Sequence, residues 1–221
     1  MRKLLSLSVL TLLFAAACHH GMGPSVKGSG NRQTQKREVA PFTSISSEGA
    51  FTIEVVCQKD LSLEVEGDDN VLPLVSTDVS GNVLRLKNSK SYSTSEPIVI
   101  RISVPNLEGL TVNGAGKFDI TRLDNERFEI DANGAPAINV SGSTKLIDID
   151  TNGAANIDTH NLRATRGVVE SKGVSKVDLG VSDQLDVTVS GPSQVTYRGD
   201  PVINKTINGP GKIEKRHSEG A

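Results

Sequence analysis

From residue 109 onward the chain alternates apolar and polar side chains, and short polar turns break the alternation at regular intervals. The stretch "TVNGAGKFDI" at 111–120 shows the unit: alternating residues, an Asn-Gly pair, then alternation again. It returns as "DANGAPAINV" at 131–140, "DTNGAANIDT" at 150–159 and "TINGPGKIEK" at 206–215. A period of two sends every second side chain to one face of a β-strand, so each unit predicts two strands flanking a turn.

Aligned on glycine, the units form columns. Gly114, Gly134, Gly153, Gly173, Gly191 and Gly209 follow at intervals of 20, 19, 20, 18 and 18 residues, the mark of a stacked repeat. Four residues after each glycine stand Phe118, Ile138, Ile157, Val177, Val195 and Ile213. Four residues before stand Leu110, Ile130, Ile149, Val169, Val187 and Lys205, and six before, in four units, Phe128, Ile147, Leu185 and Ile203. The glycines are read as structural turn residues that take φ > 0 without steric cost. The residue before them is Asn113, Asn133, Asn152, Lys172, Ser190 or Asn208, and stacked Asn side chains are expected to bond from rung to rung.

Asn-Gly between strands also fits a hairpin. Against that, Pro192 and Pro210 directly follow the glycine and Pro136 comes one residue later, where a hairpin ladder needs backbone donors. A coil of about 19 residues at ~3.3 Å each fits the perimeter of a flattened tube with walls ~10 Å apart. The predicted fold is therefore all-β: a single parallel β-helix, or β-solenoid, with a less regular N-terminal part. In that part "FTIEVV", "LSLEVEG", "VLRLKN" and "PIVIRISV" alternate as strands of embellished first coils and a cap, and "EGAFTIEV" repeats the turn phrasing at Gly49, Ala50 and Ile53.

The first 18 residues, "MRKLLSLSVLTLLFAAAC", run from basic Arg2 and Lys3 through an apolar stretch to small residues before Cys18, as in a secretory signal. The "FAAAC" end resembles the bacterial lipoprotein lipobox, which implies lipidation at Cys18; the alternative is an ordinary cleaved signal beside an unmodified Cys. The organisation expected is a signal peptide at 1–18, a flexible Gly-rich polar tether at 19–38, a solenoid domain at 39–216 and a polar tail at 217–221. His19 and His20 read as solvated. With Cys18 lipidated, Cys57 is the single remaining thiol, and its place in "FTIEVVCQ" makes it a small buried hydrophobe rather than a nucleophile.

Composition narrows the function classes. The 24 Lys plus Arg against 26 Asp plus Glu leave a net charge of −2, no field for gathering nucleic acid. No Trp, two Tyr and five Phe leave few stacking platforms for sugars or single strands. "NGAGK" resembles a phosphate loop only superficially, since it opens a strand and not a helix.

The stretches "GSGNRQTQKREVAPFTSISSEGAFTIEVV" and "LEVEGDDNVLPLVSTDVSGNVLRLK", with the Asn-Gly-Ala phrases ending in Ile-Asn or Ile-Asp, resemble the family called putative auto-transporter adhesin, head GIN domain. The resemblance runs from about Val39 to about Glu214, with Gly134 and Ile138-Asn139 matching the naming pattern; Asp119, Asp158 and Asp178 stand where Asn139 does. It implies an exported bacterial protein, often a lipoprotein, with a β-solenoid-like fold and no established activity.

Candidate chemistry lies on the outer face. Glu129, Asp148 and Asp186 stand five before the glycine, and Asp131, Asp150 and Glu170 three before it. In stacked coils, neighbours in one column lie ~4.8 Å apart and the two columns ~6.7 Å apart. Asp131, Asp150 and Glu170 are thus candidates for holding Ca²⁺ or meeting a cationic partner, against the alternative of a solvated face. No catalytic residues and no cofactor are expected: His160 and His217 read as surface residues, and repeats of such even length leave no loops to build a cleft. The expected function is non-enzymatic, an adhesion or scaffolding surface of a lipoprotein in the cell envelope, in the outer membrane with the exposed leaflet open. Its expected partners are the membrane, through the lipid, and a protein or glycan; the alternative is a glycan-binding or glycan-active β-helix. Homo-oligomerisation through the coil ends is a further open reading.

Overall fold

The computed structural model describes residues 25–216. The expected signal at 1–18 with Cys18, the residues His19 and His20, and the tail 217–221 with His217 lie outside the described residues.

Two short strands lead in, β1 (Val26–Lys27) and β2 (Arg32–Lys36). A first coil follows as β3 (Ser44–Glu48) and β4 (Thr52–Cys57), with Gly49 at its corner. The chain then leaves the stack through β5 (Ser62–Asp68), a 3₁₀ turn at Leu72–Leu74 and β6 (Val75–Ser80). It continues as β7 (Val83–Asn88), β8 (Tyr92–Ser93) and β9 (Val99–Val104). The regular coils are β10 (Gly109–Gly114), β11 (Lys117–Gly134), β12 (Ala137–Gly153), β13 (Asn156–Gly173), β14 (Lys176–Ser190), β15 (Gln194–Arg198), β16 (Val202–Asn208) and β17 (Lys212–Lys215).

Every pairing among the regular coils is parallel, which settles the choice between hairpin and solenoid. The register follows the sequence columns: Gly114 pairs with Gly134, Gly134 with Gly153, and Gly153 with Gly173. Phe118 pairs with Ile138, then Ile157, Val177, Val195 and Ile213. These inward columns make one continuous core that starts in the N-terminal part at Phe42 and Ile45 and ends at Val195.

The column glycines have two reasons to be glycine. All six, like Gly49, have positive φ. A Cβ at Gly153 would also stand 2.3 Å from the carbonyl oxygen of Gly134, and one at Gly173 would stand 2.4 Å from that of Gly153. The coils touch backbone to backbone at this corner, so even a residue tolerant of the left-handed region is excluded. At the opposite corner the register slips between Ile120 and Leu123, between Asn139 and Ser141, and between Thr159 and Arg163. The variation in repeat length is absorbed there, while the glycine corner stays constant.

The N-terminal part continues the stack out of chain order. β3 lies between β10 and β7, and β4 between β11 and β9, all parallel, so the β7–β9 rung sits beneath the β3–β4 rung although it comes later in the chain. Antiparallel β6 covers β7, and antiparallel β5 covers β9.

Two expectations need correction. The stretch 25–38, read as part of a tether, is folded: β2 pairs antiparallel with β5, and β1 pairs with β8. Val26 packs against the core, and polar bonds hold the rest. Ser29 Oγ donates to Asp69 at 2.6 Å, Asn31 Nδ2 donates to Asp69 at 2.9 Å, and Arg37 donates to the Leu72 carbonyl at 2.8 Å. Nor does Asn133 bond the next rung's Asn; it donates to Asp131 of its own coil at 2.8 Å.

Candidate functional site

The outer face of the wall built from β3, β10 and the second halves of the long strands carries the acidic residues singled out in the sequence. Parallel pairing puts Asp131, Asp150 and Glu170 in one register line, and Glu129 beside Asp148. The second column does not run unbroken: Val168 stands between Asp148 and Asp186 and is 38% exposed.

Most of these carboxylates already have partners. Arg127 bonds Asp148 at 2.7 Å and Glu129 at 3.4 Å. Lys172 bonds Glu170 at 2.8 Å. Asp186 accepts from Gln184 at 2.8 Å and from Asn204 at 2.7 Å. Asp150, at the centre of the line, is half-buried, and burial raises its pKa; Lys172 opposes the rise, while Glu170, Asp131 and Asp148 add to it. Among the described residues no group of three or more His, Cys, Asp or Glu could hold a metal ion. In-register strands project their side chains side by side, so Asp131, Asp150 and Glu170 form a row along the wall, not a cage. What the row offers is a line of negative charge at roughly 4.8 Å repeat.

The row runs toward a depression of about 860 Å³ where the regular coils meet the N-terminal part. Ser44, Gly109 and Thr111 line it, occupying with small side chains the register positions that Glu129 and Asp131 hold one coil up. Asn106, Glu108 and the corner Asp124–Arg127 form the rim. Sequence reading missed this feature; its signal was the run of small residues at those column positions. Around it Glu108, Asp124, Glu126 and Glu129 outnumber Arg127 and Lys145, the latter paired with Glu126 at 2.7 Å, so it extends the anionic wall.

The opposite outer face holds a second line, Asp119, Asn139, Asp158 and Asp178 in register. Asp178 is buried beneath Arg216, which bonds it at 2.5 Å. His160, expected as a surface residue, is half-buried and bonds Asp158 through Nδ1. Burial pushes the Asp158 carboxyl up, but the His160 bonds outweigh it and hold the pKa below its ordinary value. Cys57 is fully buried, and burial pushes its thiol up to about 11, so it is no nucleophile at neutral pH. Aromatic platforms are missing from both walls among the described residues: Phe42, Phe51, Phe118 and Phe128 are core, and Tyr92 and Tyr197 pack against it.

Solved structures share this architecture. An adhesin described as putative from Bacteroides fragilis superimposes with a TM-score of 0.70 at 24% identity, covering 87% of this chain and 100% of its own. A "putative lipid binding protein" from Parabacteroides distasonis gives 0.54 at 20% identity, covering 88% of this chain and 100% of its own. A "putative adhesin" from Parabacteroides merdae gives 0.53 at 15%, again over 88% and 100%. At these identities the likeness is one of fold. No curated protein matches the chain significantly. The family model described as "Putative auto-transporter adhesin, head GIN domain" matches residues 41–201, most of the folded region, and the chain belongs to that family.

Proposed function

We propose that this is an exported, lipid-anchored, non-enzymatic protein of the cell envelope, whose anionic wall serves as an adhesion or scaffolding surface. The observation that carries the reading is the in-register row of Asp131, Asp150 and Glu170 continuing into an open, carboxylate-lined depression. Such a surface presents charge at a fixed period on a rigid backbone and suits an extended cationic partner, protein or glycan. The adhesin name of the family supports the same reading.

Export and lipidation are supported by the sequence ending at Cys18. No helix among the described residues is long and apolar enough to cross a membrane. With the fold beginning by Val26, few residues separate Cys18 from the body. At ~3.5 Å per residue that link reaches at most about 28 Å. A lipid at Cys18 then holds the end that carries β1 within that distance of the membrane.

The test is attachment and cell–cell aggregation of bacteria carrying the full chain. They are compared with an abundance-matched strain carrying Asp131→Asn, Asp150→Asn and Glu170→Gln. The account predicts a several-fold loss in the variant, weakening of the wild type by salt, and indifference to EDTA. Unchanged attachment in the variant overturns the wall as the contact surface. Loss of palmitate labelling in Cys18→Ser tests the anchor separately.

A further inference from the structure

The open end of the stack differs chemically from its interior. On one wall the inward column reads Leu110, Ile130, Ile149, Val169 and Val187 from coil to coil. The residue paired with Val187 in the last coil is Lys205. On the other wall Thr159 pairs with Leu179, Leu179 with Tyr197, and Tyr197 with Lys215. Residues paired in parallel register share a face, so an inward column on each wall ends in lysine.

Around these lysines the last coil leaves apolar surface open. On the inward side Ile207 is 43% exposed, while Ile203 and Ile213 are partly buried against the core; Val202, on the outward side in register with Gln184, is 72% exposed. Among the described residues nothing pairs with the outer edge of β16 or β17. Unpaired backbone beside apolar side chains is a template for another strand, and the shape that fits it best is a coil of a second copy.

We propose that Lys205 and Lys215 form a blunting device that prevents end-to-end stacking of this protein. A second copy laid on the end would trap both ammonium groups against apolar side chains, and two such ends meeting would bring like charges together. In the single chain both lysines are exposed to water, Lys215 with Asp200 as its counter-ion. The inference reverses the coil-end association considered from sequence, and it holds whether or not Cys18 carries lipid.

The experiment is analytical ultracentrifugation of the exported chain carrying Cys18→Ser, which removes lipid as a cause of association. The parent is compared with Lys205→Ile/Lys215→Leu and with a control, Lys145→Ile/Lys176→Leu, that changes two exposed lysines elsewhere on the coils. Parent and control are expected to stay monomeric, while the end variant self-associates with a constant raised on the order of a hundredfold. Its β16 and β17 amides should gain protection from hydrogen exchange. A Lys205→Glu/Lys215→Glu variant, which keeps charge at the end, should remain monomeric. A monomeric aliphatic variant, an equally associating control or Glu variant, or a parent that already dimerises through β16 and β17 would each overturn the proposal.

Discussion

The regular coils from residue 109 onward and the N-terminal part at 25–108 rest on the same stacked rungs but reach them by different means. In the coils each rung is built from consecutive residues, and one glycine corner repeats until backbones touch. In the N-terminal part a rung is assembled from β7 and β9, capped by antiparallel β5 and β6, and strapped by polar bonds from Ser29 and Asn31. Repetition makes a corner intolerant of change, whereas a one-off turn facing solvent is forgiving.

Glycine substitution should break this comparison most visibly. Gly153 and Gly81 both have positive φ, but a Cβ at Gly153 meets backbone at 2.3 Å and one at Gly81 meets nothing within 4 Å. Denaturant unfolding should show Gly153→Ala destabilised by at least ~3 kcal/mol, because coil spacing must open. Gly81→Ala should lose only about 1–2 kcal/mol, from the backbone conformation alone.

The coil interior offers a sharper probe. Thr151 and Ser171 share a hydroxyl hydrogen bond of 2.9 Å inside the core, one coil above the other. Thr151→Val strands the Ser171 hydroxyl and should cost about 1–3 kcal/mol, while Thr151→Val with Ser171→Ala should fall back toward the parent. Additive losses in that double-mutant cycle would mean that the two coils are not coupled through this pair.

Acid should separate the two regions by sign. Bonds from Ser29 and Asn31 hold the Asp69 pKa below its ordinary value. Its contribution to the strap is therefore complete above the ordinary carboxylate pKa and is lost as pH falls through the lowered one. Hydrogen exchange of the β2 amides should report that release, and Asp69→Ala should produce it at neutral pH. Asp150 goes the other way: burial raises its pKa, so its ionised form burdens the fold above the raised value and the burden disappears below the unfolded one. Asp150→Asn should stabilise by a few tenths of a kcal/mol at neutral pH, less in high salt.

The regular coils were legible because their two requirements, apolar residues along the main inward columns and a glycine at every tight corner, are both written in residue types. Parallel register then follows from the columns, down to Phe118 over Ile138. The strap at 25–38 was not legible because its strand, "RQTQK", shows no apolar alternation and is held by side chains more than thirty positions away, such as Asp69. The order of the first rungs escaped for a related reason: long excursions separate β4 from β9, and nothing local says which rung lies beneath which. In the candidate site the acidic row was readable from spacing. Its neutralising partners Arg127 and Lys172, and the depression left by Ser44 and Gly109, appear only once neighbouring coils are in register.

The central structural claim is that one repeat is one rung, and deletion of residues 135–153 tests it most directly. Because Gly134 pairs with Gly153, the deletion joins Gly134 to Ala154 and should remove a single coil with Asp148 and Asp150 while leaving the rest in register. The account predicts a monomer with unchanged β-sheet content per residue, cooperative unfolding, and a denaturant slope reduced in proportion to the surface lost. An unfolded or aggregated product would contradict it, showing that the coils depend on distant parts of the chain and not on their neighbours alone.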